Sequence, residues 1–185
     1  MKYETFNPNI HDSRKIATIS YDVDFRTYNK LFKSKTKAIN AIEKDLKNYD
    51  NIKIIKDNGE IIGFIMFYTH DKKKLKFHFK SIKLIIVNIM DYFVLSDIKK
   101  GDLYLAEIGI DKNQRSKGYG SKIIHDVIDY ACKNNYNRVI LDVDFRNTKA
   151  KALYEKLGFK VFNKKEFLKR GMYNMEFIIS KETLL

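Results

Sequence analysis

Between residues 102 and 145 the apolar side chains change their spacing twice, and no other stretch limits the possible folds as much. Residues 102–111 (DLYLAEIGID) read as a strand. From 121 to 132 the apolar Ile124, Val127, Ile128 and Ala131 return every three or four positions, which lines them along one face of a helix. Residues 138–145 (RVILDVDF) are a strand again. Strand, helix and strand joined this closely make two neighbouring parallel strands with a crossover helix.

The flanking segments make the sheet mixed. Residues 16–21 (IATISY) read as a short strand. Leu31, Lys35, Ala38, Ile42 and Leu46 then predict one amphipathic helix over about 28–47. Residues 52–70 predict a hairpin that turns at Asn58-Gly59, because both residues tolerate positive φ. Leu75, Phe79, Ile82, Ile86, Ile89 and Phe93 predict one or two helices over about 74–97, whose wide apolar stripe favours packing deep against the sheet, with part of it walling an acceptor pocket as the alternative. Residues 148–156 read as a helix ended by Gly158 at the C-cap, and GFKVF and MYNMEFIIS as two last strands. With no repeat or linker in view, the expectation is a single domain over 1–185. Its class is α+β (mixed α/β), a twisted, mostly antiparallel central sheet flanked by helices.

Composition removes several function classes. A chain of 185 residues with 44% hydrophobic and 32% charged side chains can bury a core. Its one cysteine, Cys132, excludes an intrachain disulfide and fits a reducing, cytoplasmic setting. Cys132 follows Ile124 and Ile128 at helical spacing and reads as a buried thiol. Residues 1–15 lack the apolar stretch of a signal peptide. The most apolar run, 82–95, falls short of the ~20 residues needed to span a bilayer and contains Lys83 and Asp91, so no membrane partner is expected. The net charge of +13 suits an anionic ligand, but it is spread over both halves of the chain and argues against nucleic acid as the main partner. The four histidines show no metal spacing, and no metal is expected.

Chemistry concentrates in two strings. The first, Asn113-Gln114-Arg115-Ser116-Lys117-Gly118-Tyr119-Gly120-Ser121, lies between a strand and a helix. Two glycines let the main chain turn sharply and expose its N–H groups, and the following helix presents more at its N-terminus. Together they form a cradle suited to a pyrophosphate. The helix dipole gives only ~0.3–1 kcal/mol per favourable charge, so directed N–H bonds supply most of the affinity. Arg115 and Lys117 add charge-assisted contacts. The string lacks the GK[ST] of a Walker loop and the third glycine of a dinucleotide fingerprint. The second string runs from Asn147 to Phe159, where Asn147 and Thr148 can start a helix and Tyr154 lies two turns in.

The pair RSKGYG and NTKAKALYEKLGF resembles the Gcn5-related N-acetyltransferases. Arg115, Gly118 and Gly120 match the family's Q/R-x-x-G-x-G/A motif, and Asn147, Ala150, Leu153, Tyr154, Gly158 and Phe159 match N-x-x-A-x-x-L-Y-x-x-x-G-F. The resemblance implies a fold in which two parallel strands splay apart and admit acetyl-coenzyme A (acetyl-CoA). Ile108, Gly109 and Ile110 would pair with its pantetheine arm. The amides of Arg115, Ser116, Lys117, Gly118, Tyr119, Gly120 and Ser121 would hold the pyrophosphate. Asn147 and Ala150 would lie along the pantetheine, and Tyr154 would face the sulfur.

The expected reaction is acetyl transfer to a primary amine of a small molecule, protein or peptide by direct attack on the thioester. A main-chain N–H of Ile108 or Ile110 would polarise the carbonyl. Tyr154 would donate a proton to the leaving thiolate. Making a lysine-type amine neutral at pH 7 costs about 4.6 kcal/mol, against about 1 kcal/mol for an α-amino group. The base is therefore a real question, and Glu107, Asp144 or water each answer it. Glu107 shares a strand face with Leu103 and Leu105. Three other readings stay open at this point: a non-catalytic acyl-CoA-binding module, transfer of a longer acyl chain, and a basic nucleic-acid-binding protein. The last strands could also pair across a homodimer.

Overall fold

The computed structural model describes residues 1–47, 49–70 and 82–180. Its strands are β1 (Lys2–Thr5), β2 (Ile52–Asp57), β3 (Glu60–Thr69), β4 (Asp102–Ile110), β5 (Arg138–Asp144), β6 (Lys160–Phe167) and β7 (Arg170–Ile178). Its helices are α1 (Ser13–Val23), α2 (Phe25–Phe32), α3 (Lys35–Leu46), α4 (Ile82–Val94), α5 (Tyr119–Lys133) and α6 (Thr148–Lys156). The described strands form one sheet in the order β1-β2-β3-β4-β5-β7-β6. β4 and β5 run parallel. The β1–β2, β2–β3, β5–β7 and β6–β7 pairs are antiparallel. The class is therefore the expected mixed α+β fold, with the parallel pair contributed by the segment that opened the sequence reading. Among the described residues no helix is long and apolar enough to cross a membrane.

Two compact units divide the chain. The first holds the described residues up to 66 together with 82–89 and 107–115. Its buried side chains include Ile16, Ala17 and Ile19 of α1, Ala38, Ile39 and Ile42 of α3, and Ile52, Ile54 and Phe64 of the hairpin. The hairpin turns where the sequence predicts, with Asn58 at φ 47° and Gly59 at φ 83°. Gly63 and Gly109 lie back to back: a Cβ on Gly63 would stand 2.3 Å from the Gly109 carbonyl oxygen, and one on Gly109 would meet Ile19 and Phe64. Gly63 is needed because main chain packs on main chain there, and Gly109 because the side chains of Phe64 and Ile19 fill the space its Cβ would take.

Residues 16–21 belong to α1 and not to a strand. The β-branched run disguises a helical pattern in which Ile16, Ala17, Ile19 and Ser20 are buried. The Asp12 carboxylate caps that helix by accepting from the Lys15 amide at 2.9 Å. The first strand is instead β1, a short polar edge whose four residues pair with β2. The single helix expected over 28–47 is two, because Lys33 adopts φ 52° and Ser34 caps α3. Of the helix expected over 74–97, α4 is the described part, and residues 71–81 lie outside the described residues.

The second unit holds the described residues 67–70, 90–106 and 116–180. Ile123, Ile124, Val127 and Ile128 of α5, Val139, Ile140 and Leu141 of β5, and Met175 of β7 are buried. The β6–β7 turn is made by Leu168 at φ 48° and Lys169 at φ 66°. Two bulky residues in the left-handed region are unusual, and no turn signal marks them in the sequence.

Candidate functional site

The parallel register runs from Asp102↔Arg138 to Leu105↔Leu141 and ends there, while β5 stays paired with β7 to Asp144↔Met172. Glu107, Ile108, Gly109 and Ile110 continue β4 past that point. Glu107 is half-buried, at an odd position with the buried Leu103 and Leu105. The Asp111 amide closes the strand by donating to the Ile62 carbonyl at 2.9 Å.

A tight turn follows. Asp111 accepts from the Asn113 amide at 2.9 Å through its side chain and from the Gln114 amide at 2.9 Å through its carbonyl. Arg115 folds back on the strand end. Its amide donates to the Lys112 carbonyl and its Nε to the Ile110 carbonyl at 3.0 Å. Arg115 thus ties the turn to the strand end as well as bringing charge. Ser116 at φ 63° and Gly118 at φ 81° then put two residues in the left-handed region within one short loop. Left-handed residues so close together are the kind of loop in which successive N–H groups can share one concavity, as in a main-chain anion nest.

α5 starts at Tyr119 with Gly118 at its N-cap and no side-chain hydrogen bond capping it. Its first intrahelical bond runs from the Lys122 amide to the Gly118 carbonyl. The amides of Tyr119, Gly120 and Ser121 therefore precede the internal ladder, where a helix carries its positive dipole end. A Cβ on Gly118 would meet nothing within 4 Å, so open space lies before this loop. The residues present fit a pyrophosphate in shape and in chemistry.

Tyr154 is held from below by its helix end. The Phe159 amide donates to the Tyr154 carbonyl and the Gly158 amide to the Glu155 carbonyl, both at 3.0 Å, with Gly158 at φ 92°. This is a Schellman ending, and its apolar contact is the Tyr154–Phe159 ring pair at 5.8 Å. Burial alone pushes the Tyr154 phenol up to about 12. Asn147 caps α6, its Oδ1 accepting from the Ala150 amide at 3.2 Å. Asp144 is committed elsewhere: Arg146 donates to it through the backbone amide at 2.8 Å, Nε at 2.7 Å and a terminal nitrogen. Burial raises the Asp144 carboxyl, but the bonds from Arg146 win and hold it below the usual carboxylate range. Cys132 is half-buried on α5 beside the buried Ala131.

The second unit also contains a polar cluster that the sequence reading misses. Asp142 accepts four bonds, from Ser96 N at 2.9 Å, Ser96 Oγ at 2.6 Å, Tyr104 Oη at 2.8 Å and Asn174 Nδ2 at 2.5 Å. Asn174 also donates to the Val94 carbonyl at 3.1 Å, and Arg170 pairs with Asp91 at 2.8 Å. The end of α4 and the residues after it are thus fixed to β5 and β7. The one signal was a carboxylate inside the apolar strand RVILDVD, whose partners lie 32 to 46 residues away. Among the described residues no group of three His, Cys, Asp or Glu side chains is arranged to hold a metal ion.

Residues 19–159 match the model of the acetyltransferase (GNAT) family. An uncharacterized N-acetyltransferase of Bacillus subtilis, YhfO, is 27% identical over 116 residues, and the match spans 62% of this chain and 62% of that relative's length. A solved N-acetyltransferase from Staphylococcus aureus Mu50 superposes with a TM-score of 0.73 at 21% identity, covering 96% of this chain and all of the other. A ribosomal-protein-alanine N-acetyltransferase from Brucella melitensis gives 0.60 at 12% identity, over 97% of this chain and all of the other. These structural likenesses speak to the fold.

Proposed function

The chain belongs to the GNAT acetyltransferase family, and from that premise we propose that it transfers the acetyl group of acetyl-CoA to a primary amine of a small molecule, protein or peptide. The observation that carries the reading is the start of α5. It is a helix of 15 residues without a side-chain cap, opened by a left-handed glycine that faces open space. Ser116 to Ser121 would hold the pyrophosphate through main-chain amides, with Lys117 adding charge. Ile108, Gly109 and Ile110 would pair with the pantetheine arm, with Asn147 and Ala150 beside it. Residues 1–185 act in this reading as one acyltransferase domain in the cytoplasm.

Acetyl-CoA supplies an activated acyl group. The amine adds to its carbonyl carbon, the C–S bond breaks, and the amine proton leaves with solvent or a base. A main-chain N–H on β4, of Ile108 or Ile110, would stabilise the charge that develops on the carbonyl oxygen. A phenol at about 12 stays protonated through the working pH range, so Tyr154 enters as a donor and not as a base. Full transfer from such a phenol to a thiolate of pKa ~8.5 is uphill by on the order of 5 kcal/mol. Tyr154 therefore acts chiefly by hydrogen bonding to sulfur as the bond breaks. Asp144, held low and occupied by Arg146, is a poor base, which leaves Glu107 or water.

Calorimetric titration with acetyl-CoA tests the reading. Binding is expected for the native chain and a loss of at least tenfold for Gly118→Trp, whose ring would fill the space before the amides. Gly118→Ala introduces the same backbone strain without the bulk and should lose far less. Absence of binding to the native chain overturns the proposal. Binding without turnover on any amine would leave a module that senses the acyl-CoA.

A further inference from the structure

The helix α1 carries its charges the wrong way round for its own dipole. Lys15 lies in its first turn and Asp22 in its last, where the opposite signs would stabilise it. A local rule broken in this way points to an interaction elsewhere. Both charges find it on one short segment: Lys15 Nζ lies 3.6 Å from Asp111, and Lys112 Nζ lies 2.9 Å from Asp22. Asp22 is the more demanding of the two, because its side chain is only 7% exposed and a buried carboxylate needs a counter-charge. Lys15, Ile19 and Asp22 are spaced i, i+4, i+7, which makes them one stripe along the helix. The middle residue of the stripe is the one whose Cγ2 would stand 2.7 Å from a Cβ on Gly109. The stripe Lys15–Ile19–Asp22 therefore rests on Asp111, Gly109 and Lys112. Those residues end β4 and begin the turn through Arg115 that leads into the phosphate cradle.

We propose that Asp22, through Lys112, is a positioning residue for the cofactor turn, and that the α1 stripe sets where residues 109–115 present the start of the cradle. The proposal rests on the acetyl-CoA reading of that turn. Asp22 touches no reacting atom. It neutralises Lys112 and anchors the first residue of the single helical turn Lys112–Gln114 to α1. Asp111, which caps that turn, is steadied from the other end of the same stripe by Lys15.

The test is a charge cycle at positions 22 and 112, read by calorimetry with coenzyme A and by amide exchange. Asp22→Asn and Lys112→Met are each expected to weaken binding by about tenfold, the order reached when a partly buried ion pair is broken. In turnover the loss should fall on the KM of the cofactor rather than on kcat. The amides of Asn113 and Gln114 should exchange faster in both variants. The reversed pair, Asp22→Lys with Lys112→Asp, should restore affinity to within about threefold. It also places each charge where its helix end favours it, so it carries the test should a single variant fail to fold. Asp22→Asn that binds as tightly as the native chain, or more tightly because Lys112 is freed, overturns the proposal, and so does a reversed pair that rescues nothing. A native chain that does not bind coenzyme A removes the functional reading instead. Exchange at Asn113 and Gln114 would then still decide whether α1 holds the turn.

Discussion

At the scale of single residues, a buried phenol and a hydrogen-bonded carboxylate are shifted in opposite directions. Tyr154 is pushed up to about 12 by burial with no charged partner involved, so its protonation is constant over any practical assay range. Tyr154→Phe should lower kcat by about 10²-fold while the calorimetric affinity for acetyl-CoA stays within about twofold. The rate of the native enzyme should rise with pH as the acceptor amine loses its proton, with no descending limb below about pH 11 attributable to the phenol. A descending limb near pH 9 that vanishes in Tyr154→Phe would contradict this assignment. Glu4 titrates at the other extreme. Hydrogen bonds from Lys56, then His11, then Lys2 lower its carboxyl to about 2. A carboxyl lower in the folded than in the unfolded chain adds stability above the unfolded pKa of ~4.3, and that stability is lost as pH falls toward 2. Glu4→Gln should therefore flatten the acid side of the stability–pH curve measured by urea unfolding and leave its slope above pH 6 unchanged. The size will be modest, because the group is solvent-screened.

At the scale of elements, backbone contacts set the tolerances. Gly63→Ala would place a Cβ 2.3 Å from the Gly109 carbonyl oxygen, where no side chain can move aside. The expected loss is roughly 1–3 kcal/mol or more in urea unfolding, together with weaker acetyl-CoA binding because Gly109 belongs to the proposed pantetheine strand. A neutral Gly63→Ala would show that β3 and β4 have more room than their packing suggests. The legible elements are those whose ends carry their own signals. The sequence marks both ends of α6 because Asn147 and Gly158 cap it with local hydrogen bonds, and Asn58-Gly59 places the first hairpin. The pattern of α1 mimics a strand because Ile16, Thr18 and Ile19 are β-branched, although Asp12 supplies a cap three residues before Lys15. The β6–β7 turn carries no signal, since the exposed Leu168 and Lys169 adopt positive φ with no Gly, Asn or Asp at either position to announce it. The loop and helix start proposed as the cradle are legible because they are local in sequence. The Asp142 cluster and the α1 stripe are not, because their partners meet only after folding.

At the scale of the whole molecule, the formal charge of +13 has to be reconciled with a ligand that needs only a local site. Diffuse charge raises the concentration of any polyanion near the surface, but it acts over a Debye length of about 10 Å at 0.1 M salt and gives way as salt rises. Directed N–H bonds from the proposed cradle would persist, since they act at contact distance. The two contributions separate in a salt titration. A single-stranded oligonucleotide that engages six or more phosphates should lose about 300-fold in affinity or more between roughly 50 and 200 mM salt. Acetyl-CoA should lose less than about tenfold over the same range, because only a few of its contacts are ionic. Saturating coenzyme A should not displace the oligonucleotide at low salt, since the diffuse charge lies outside the cradle. If the oligonucleotide instead stays bound at 200 mM and coenzyme A competes with it, the loop from Arg115 to Ser121 serves nucleic-acid phosphates. The charge of the molecule would then describe its partner, where the acetyltransferase reading takes it as a property of the surface alone.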